Sequence, residues 1–73
     1  MADQANRATI TLNGEPYTIG DDSRLLALIE KLDMRPTRIA VEINHEVVPR
    51  ARYAEVALKP GDQVEIINFV GGG

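Results

Sequence analysis

The chain has no cysteine and no tryptophan, and only one phenylalanine, two tyrosines and one histidine among its 73 residues. Lack of cysteine excludes a disulfide framework, a thiolate metal site, an iron–sulfur cluster and a cysteine nucleophile within this chain. It makes a reducing cytoplasm the expected compartment. With so few aromatic rings and a net charge of −3, nucleic acid is not an expected partner, because base stacking and phosphate neutralisation both lack their residues. No stretch approaches the ~18 consecutive apolar residues that span a bilayer. The opening Met1-Ala2-Asp3-Gln4-Ala5-Asn6-Arg7 lacks an apolar h-region, so no membrane association is expected. The single His45 lies between Asn44 and Glu46 in a turn pattern, without the partners of a triad or a metal site. Asp21-Asp22 has the look of a metal-binding pair, but the role of helix cap accounts for both acids. Gly14, Gly20 and Gly61 are separate turn glycines and form no phosphate cradle. Intrinsic catalysis and a tightly bound cofactor are therefore not expected.

What is present is a small aliphatic domain with 44% hydrophobic residues, drawn mostly from Val, Ile, Leu and Ala. A chain of this size buries only about 60% of its unfolded surface. Residues 1–7 are polar and without period, and read as a disordered leader. Ala8, Ile10 and Leu12 alternate with Thr9 and Thr11, the period of a half-buried strand. Asn13-Gly14 then predicts a type I′ hairpin turn, because both central positions need positive φ. The return strand, about Pro16 to Ile19, is expected at a sheet edge, since proline cannot donate to a ladder. Gly20-Asp21-Asp22-Ser23 is expected to cap a helix of roughly ten residues. Its buried stripe is Leu25, Leu28, Ile29 and Leu32, and Pro36 is expected to close it. Ile39, Val41 and Ile43 predict a third strand, with Asn44-His45-Glu46 as the turn after it and a short irregular or edge element through Tyr53 and Val56. Pro60-Gly61 predicts a type II turn before a last strand, Asp62 to Phe69. This order is α+β: a mixed sheet on one helix, with the first and last strands adjacent and parallel and one sheet face open.

The chain ends Ile66-Ile67-Asn68-Phe69-Val70-Gly71-Gly72-Gly73. Glycine loses the most backbone entropy on ordering, so a triglycine end is not a stabilising feature. It is either a linker or frayed end, or a thin arm carrying a free carboxylate at Gly73. In the last strand Val64 and Ile66 share one parity, leaving Glu65, Ile67 and Phe69 to face water. Exposed Ile67 and Phe69, continuing to Val70, would make an apolar partner surface. The alternative is that Phe69 folds over the sheet edge or packs on Pro49.

The run Ile43-Asn44-His45-Glu46-Val47-Val48-Pro49-Arg50, then Tyr53, then Leu58-Lys59-Pro60-Gly61-Asp62-Gln63-Val64-Glu65 continuing to the glycine end, closely resembles the sulfur-carrier proteins of thiamine biosynthesis, the ThiS family. Leu12-Asn13-Gly14-Glu15 and the leucine-rich helix share the likeness, which covers about residues 8 to 73. The resemblance implies a ubiquitin-like β-grasp fold of four to five strands over residues 8–70, with residues 71–73 as a flexible tail. It further implies that an E1-like adenylyltransferase uses ATP to convert the Gly73 carboxylate to an acyl-adenylate. A cysteine desulfurase relay then supplies sulfur to form a thiocarboxylate, and thiazole synthase takes that sulfur for the thiazole ring. The family's diglycine maps to Gly72 and Gly73, with Gly71 lengthening the arm through the partner channel. Similar, with the same fold and the same end, is the small subunit of molybdopterin synthase. A ubiquitin-like protein modifier and an inert ubiquitin-like interaction module are the remaining alternatives.

Overall fold

The computed structural model describes residues 8–69. The expected leader over 1–7, and Val70 with the tail 71–73, lie outside the described residues. The elements are β1 (Thr9–Leu12), β2 (Glu15–Thr18), α1 (Leu25–Lys31), β3 (Ile39–Ile43), β4 (Glu46–Val48) and β5 (Gln63–Asn68), with 3₁₀ turns at Pro36–Arg38 and Arg50–Arg52. They form one mixed sheet in the order β2-β1-β5-β3-β4, packed on the single helix. This is the β-grasp arrangement.

Both hairpins are closed by two-residue turns with left-handed backbone. Asn13 and Gly14 have φ of 50° and 86°, and Leu12 pairs with Glu15 across them. Asn44 and His45 have φ of 53° and 71°, and Ile43 pairs with Glu46. Positive φ at both central residues matches the twist of the flanking strands. Glu46 is thus the first residue of β4 and not part of the turn, and the irregular or edge element expected after the turn begins as an edge strand. Pro16 sits in β2, at the sheet edge as its missing N–H requires. Gly61, with φ of 86°, turns the chain into β5, and the Asp62 N–H donates to the Lys59 carbonyl at 3.0 Å.

The helix departs from expectation at both ends. Its N-cap is Arg24, which makes no capping side-chain hydrogen bond. Asp22 instead accepts from the Arg24 N–H at 3.1 Å and from the Arg24 guanidinium at 2.9 and 2.6 Å. Those bonds hold the Asp22 carboxyl down at about 2. The first helical donors are met from elsewhere in the chain: Leu25 N–H donates to the Val56 carbonyl at 2.8 Å and Leu26 N–H to the Tyr53 carbonyl at 3.1 Å. A loop that supplies backbone acceptors makes a side-chain cap unnecessary.

At the other end the helix stops after seven residues, well before Pro36. Asp33 adopts φ of 60°, Asp33 N–H donates to the Glu30 carbonyl at 3.0 Å and Met34 N–H to the Ile29 carbonyl at 3.1 Å. This is a Schellman cap with aspartate in the position glycine usually takes. Leu32 falls just beyond the helix yet keeps to the stripe, half-buried against the core.

The core joins Leu25, Leu28 and Ile29 of α1 to Ile10 of β1, Ile39 and Val41 of β3 and Val64 and Ile66 of β5. Each such aliphatic side chain contributes about 1.5–3 kcal/mol on full burial. Tyr53, Leu58 and Ile19 close the ends of this layer. Burial raises the Tyr53 phenol above its ordinary range, with Arg50 acting weakly in the opposite direction. One helix covers one face, and nothing among the described residues covers the opposite sheet face.

Candidate functional site

The strand that leads toward the tail is the middle strand of the sheet. β5 pairs in parallel with β1, through Thr11 with Gln63 and Leu12 with Val64. On its other side it runs antiparallel to β3 over five residue pairs, from Ile39 with Asn68 to Ile43 with Val64. The ladder continues one step beyond the strand, where Phe69 N–H donates to the Arg38 carbonyl at 2.8 Å. The base of the tail is therefore held on a rigid element.

Two asparagines strengthen that hold. The Asn13 carboxamide accepts from Ile66 N–H at 2.8 Å and donates to the Ile66 carbonyl at 3.3 Å, reaching across 53 residues of sequence. Its side chain thereby continues the ladder to β5 after β1 has turned away. Asn44 acts similarly at the start of the strand. Its Oδ1 accepts from Gln63 N–H at 3.0 Å and its Nδ2 donates to Asp62 at 3.1 Å. The residues that turn the two hairpins thus also grip the central strand.

Alternation in β5 sorts its side chains as the sequence predicts. Val64 and Ile66 are buried, whereas Glu65 is exposed and Ile67 and Phe69 are 56% and 50% exposed. Phe69 stays half exposed, in keeping with the open-patch expectation. Val47 of β4, 70% exposed, joins this face. It lies opposite Glu42, which in turn lies opposite Glu65. The sequence reading missed Val47, although the signal was present. Two adjacent valines in a strand cannot both point inward, and Val48 is the half-buried one. The roles of Asn13 and Asn44 were also missed, because nothing local reveals which strand lies beside a turn. The remaining site residues, Val70, Gly71, Gly72 and Gly73, lie outside the described residues.

Among the described residues no three His, Cys, Asp or Glu side chains converge in a way that could hold a metal ion. An open hollow of about 480 Å³ along β4, lined by Ile43, Val48, Pro49, Arg52 and Val56 among others, brings together no nucleophile and base. His45 points from an exposed turn. The chemistry this arrangement supports is presentation: a firm strand base beside an accessible apolar face.

The ThiS family model matches residues 10–73. The chain belongs to the ThiS family. Its sheet superposes on the crystal structure of a thiamine biosynthesis protein (ThiS) from Geobacter metallireducens with a TM-score of 0.73, at 32% identity, covering 89% of this chain and 99% of that one. The sulfur carrier protein ThiS of Bacillus subtilis is 34% identical over 65 residues, covering 88% of this chain and 98% of the relative. A thiazole synthase of Magnetococcus marinus is 42% identical over 64 residues, which are 88% of this chain and 20% of that protein. The chain thus spans about a fifth of the length of the thiazole synthases it matches. The ThiS-family match takes in the glycine tail as well as the β-grasp domain. No described helix is long and apolar enough to cross a membrane.

Proposed function

We propose that this chain is a sulfur carrier for thiazole formation in thiamine biosynthesis, working in the cytoplasm, and that Gly73 is the group that carries the sulfur. The observation that carries the reading is the ThiS-family match running through residue 73, attached to a central strand that leaves Ile67 and Phe69 uncovered. At neutral pH a terminal carboxylate, with a usual pKa of about 3.5, is ionised and poorly electrophilic. An E1-like adenylyltransferase makes it reactive: a carboxylate oxygen attacks the α-phosphorus of ATP, pyrophosphate leaves, and the acyl-adenylate forms. Persulfide sulfur from a cysteine desulfurase relay then attacks the acyl carbon and displaces AMP, and a second thiol cleaves the resulting acyl disulfide, forming a disulfide and leaving the thiocarboxylate. Gly71 and Gly72, having no side chains, let the arm enter a narrow active site, while Ile67, Phe69 and Val70 rest on the partner's surface.

Thiazole synthase is the proposed acceptor. A similar segment occurs within longer thiazole synthases, where one polypeptide would hold carrier and enzyme at high effective concentration. The carrier supplies no catalytic group, and ATP is consumed by the activating partner.

The test is intact-mass measurement after incubation with the cognate adenylyltransferase, ATP and sulfide. One oxygen-for-sulfur exchange, mapped to Gly73, is expected, and it disappears when a residue is appended after Gly73. An unchanged mass with an enzyme shown to be active rejects the carrier reading. Ile67→Asp should leave the fold intact, since the side chain is already 56% exposed, and weaken binding to the adenylyltransferase.

A further inference from the structure

The open sheet face bears two carboxylates where strand pairing brings them together. Glu42 of β3 lies directly opposite Glu65 of β5. Like charges at directly opposed positions destabilise a sheet, and both strands here are interior to it. Among the described residues neither acid is paired; the ion pairs there are Arg24–Asp22 and Arg52–Glu55. The other outward strand positions, among them Thr9, Thr11, Thr18, Ala40 and Gln63, carry no cation. Exposed Val47 adjoins the acids on β4, and exposed Ile67 lies one outward step along β5. Arg38 is at the far end of the face, opposite Phe69 and about 13 Å from Glu42 at the usual strand rise.

The face therefore has an acidic end, an apolar middle and a basic end beside Phe69. The opposed acids work against the sheet, and the uncovered valine and isoleucine bury less apolar surface than their core counterparts. We propose that Glu42 and Glu65 are the charged anchor of the docking face and receive an arginine that the adenylating partner presents from within an apolar surface. A planar guanidinium has enough donors to serve two neighbouring carboxylates at once, and it tolerates apolar surroundings better than an ammonium. Placed so, it removes the repulsion between the acids, and the distance to Arg38 sets which way the partner lies along the strand and hence where the tail enters. A divalent cation is a poorer occupant, because no third ligand converges there among the described residues. A second copy is also poorer, since each chain carries a net charge of −3. This assignment rests on the carrier reading and adds the chemistry of the partner's contact.

The test uses the full chain, the double variant Glu42→Gln/Glu65→Gln, and the cognate adenylyltransferase, with affinity measured by calorimetry at several salt concentrations. The variant should bind at least about tenfold more weakly and lose most of the salt dependence. Its Tm should rise by about 2–6 °C as the repulsion is removed. Unchanged affinity in the folded variant overturns the assignment, as does a Tm that falls. A wild-type chain that sediments as a dimer dissociated by the double substitution also overturns it, in favour of a second copy. Intact mass after reaction with ATP and sulfide is read on the same wild-type sample. Acid-dependent binding with no sulfur gained would reject the carrier reading and leave the docking surface standing.

Discussion

Replacing Asn13 tests whether a turn side chain holds the strand that leads to the tail. Its carboxamide makes two hydrogen bonds to Ile66, at 2.8 and 3.3 Å, from a residue whose φ is 50°. Asn13→Gly removes the amide but keeps the left-handed turn unstrained, so it isolates the clamp. The Ile66 N–H is part-buried and loses its partner, which costs about 1–2 kcal/mol. Asn13→Ala adds the penalty of a Cβ in left-handed backbone, a further ~1 kcal/mol. For a domain this small, each kcal/mol lowers Tm by about 4–8 °C. Glycine should therefore lower Tm by about 4–16 °C, with alanine several degrees below it. Urea unfolding gives the free energies directly, and amide hydrogen exchange at Ile66 should rise in both variants. If Asn13→Gly matches the wild type within about 0.3 kcal/mol and Ile66 exchange is unchanged, the amide does not clamp β5. The strand would then be held by its two neighbours alone.

Asp33→Gly should stabilise the chain by about 0.5–1 kcal/mol in thermal unfolding, because glycine takes the left-handed Schellman position without a Cβ penalty; a loss of stability would mean that the carboxylate itself contributes at that cap. The Asp22–Arg24 pair predicts a pH effect of known sign. Hydrogen bonds from Arg24 lower the Asp22 carboxyl from 3.8 to about 2, so its contribution is present above pH 3.8 and fades as the pH falls through about 2. Asp22→Asn should flatten the stability profile in that window. A profile identical to wild type there would show that the exposed pair, open to solvent screening, contributes nothing.

Much of the fold was legible along the chain because its signals are local. Ala8 to Leu12 and Ile39 to Ile43 alternate with period two, Leu25, Leu28 and Ile29 recur with helical spacing, and Asn13-Gly14 and Pro60-Gly61 state their turns chemically. The errors fell where a distant segment met a local need. The acids before the helix did not cap it, because the Tyr53 and Val56 carbonyls were already there. Pro36 did not close the helix, because Asp33 had taken a left-handed conformation three residues earlier. The sequence does not separate Glu46 from the turn, because a three-residue edge strand is too short to show a period.

The candidate site divides in the same way. The sequence by itself determined that three glycines follow a strand whose Ile67 and Phe69 face outward, since strand parity is a property of the residues in order. Only the tertiary structure decided that this strand is the centre of the sheet, that Asn13 and Asn44 grip it from both hairpins, and that Glu42 meets Glu65 across it. Those relations depend on which strands become neighbours. Pairing residues 23 or 53 positions apart is a choice made by burying one face of every strand on one helix, and it leaves no mark in any short stretch of the chain.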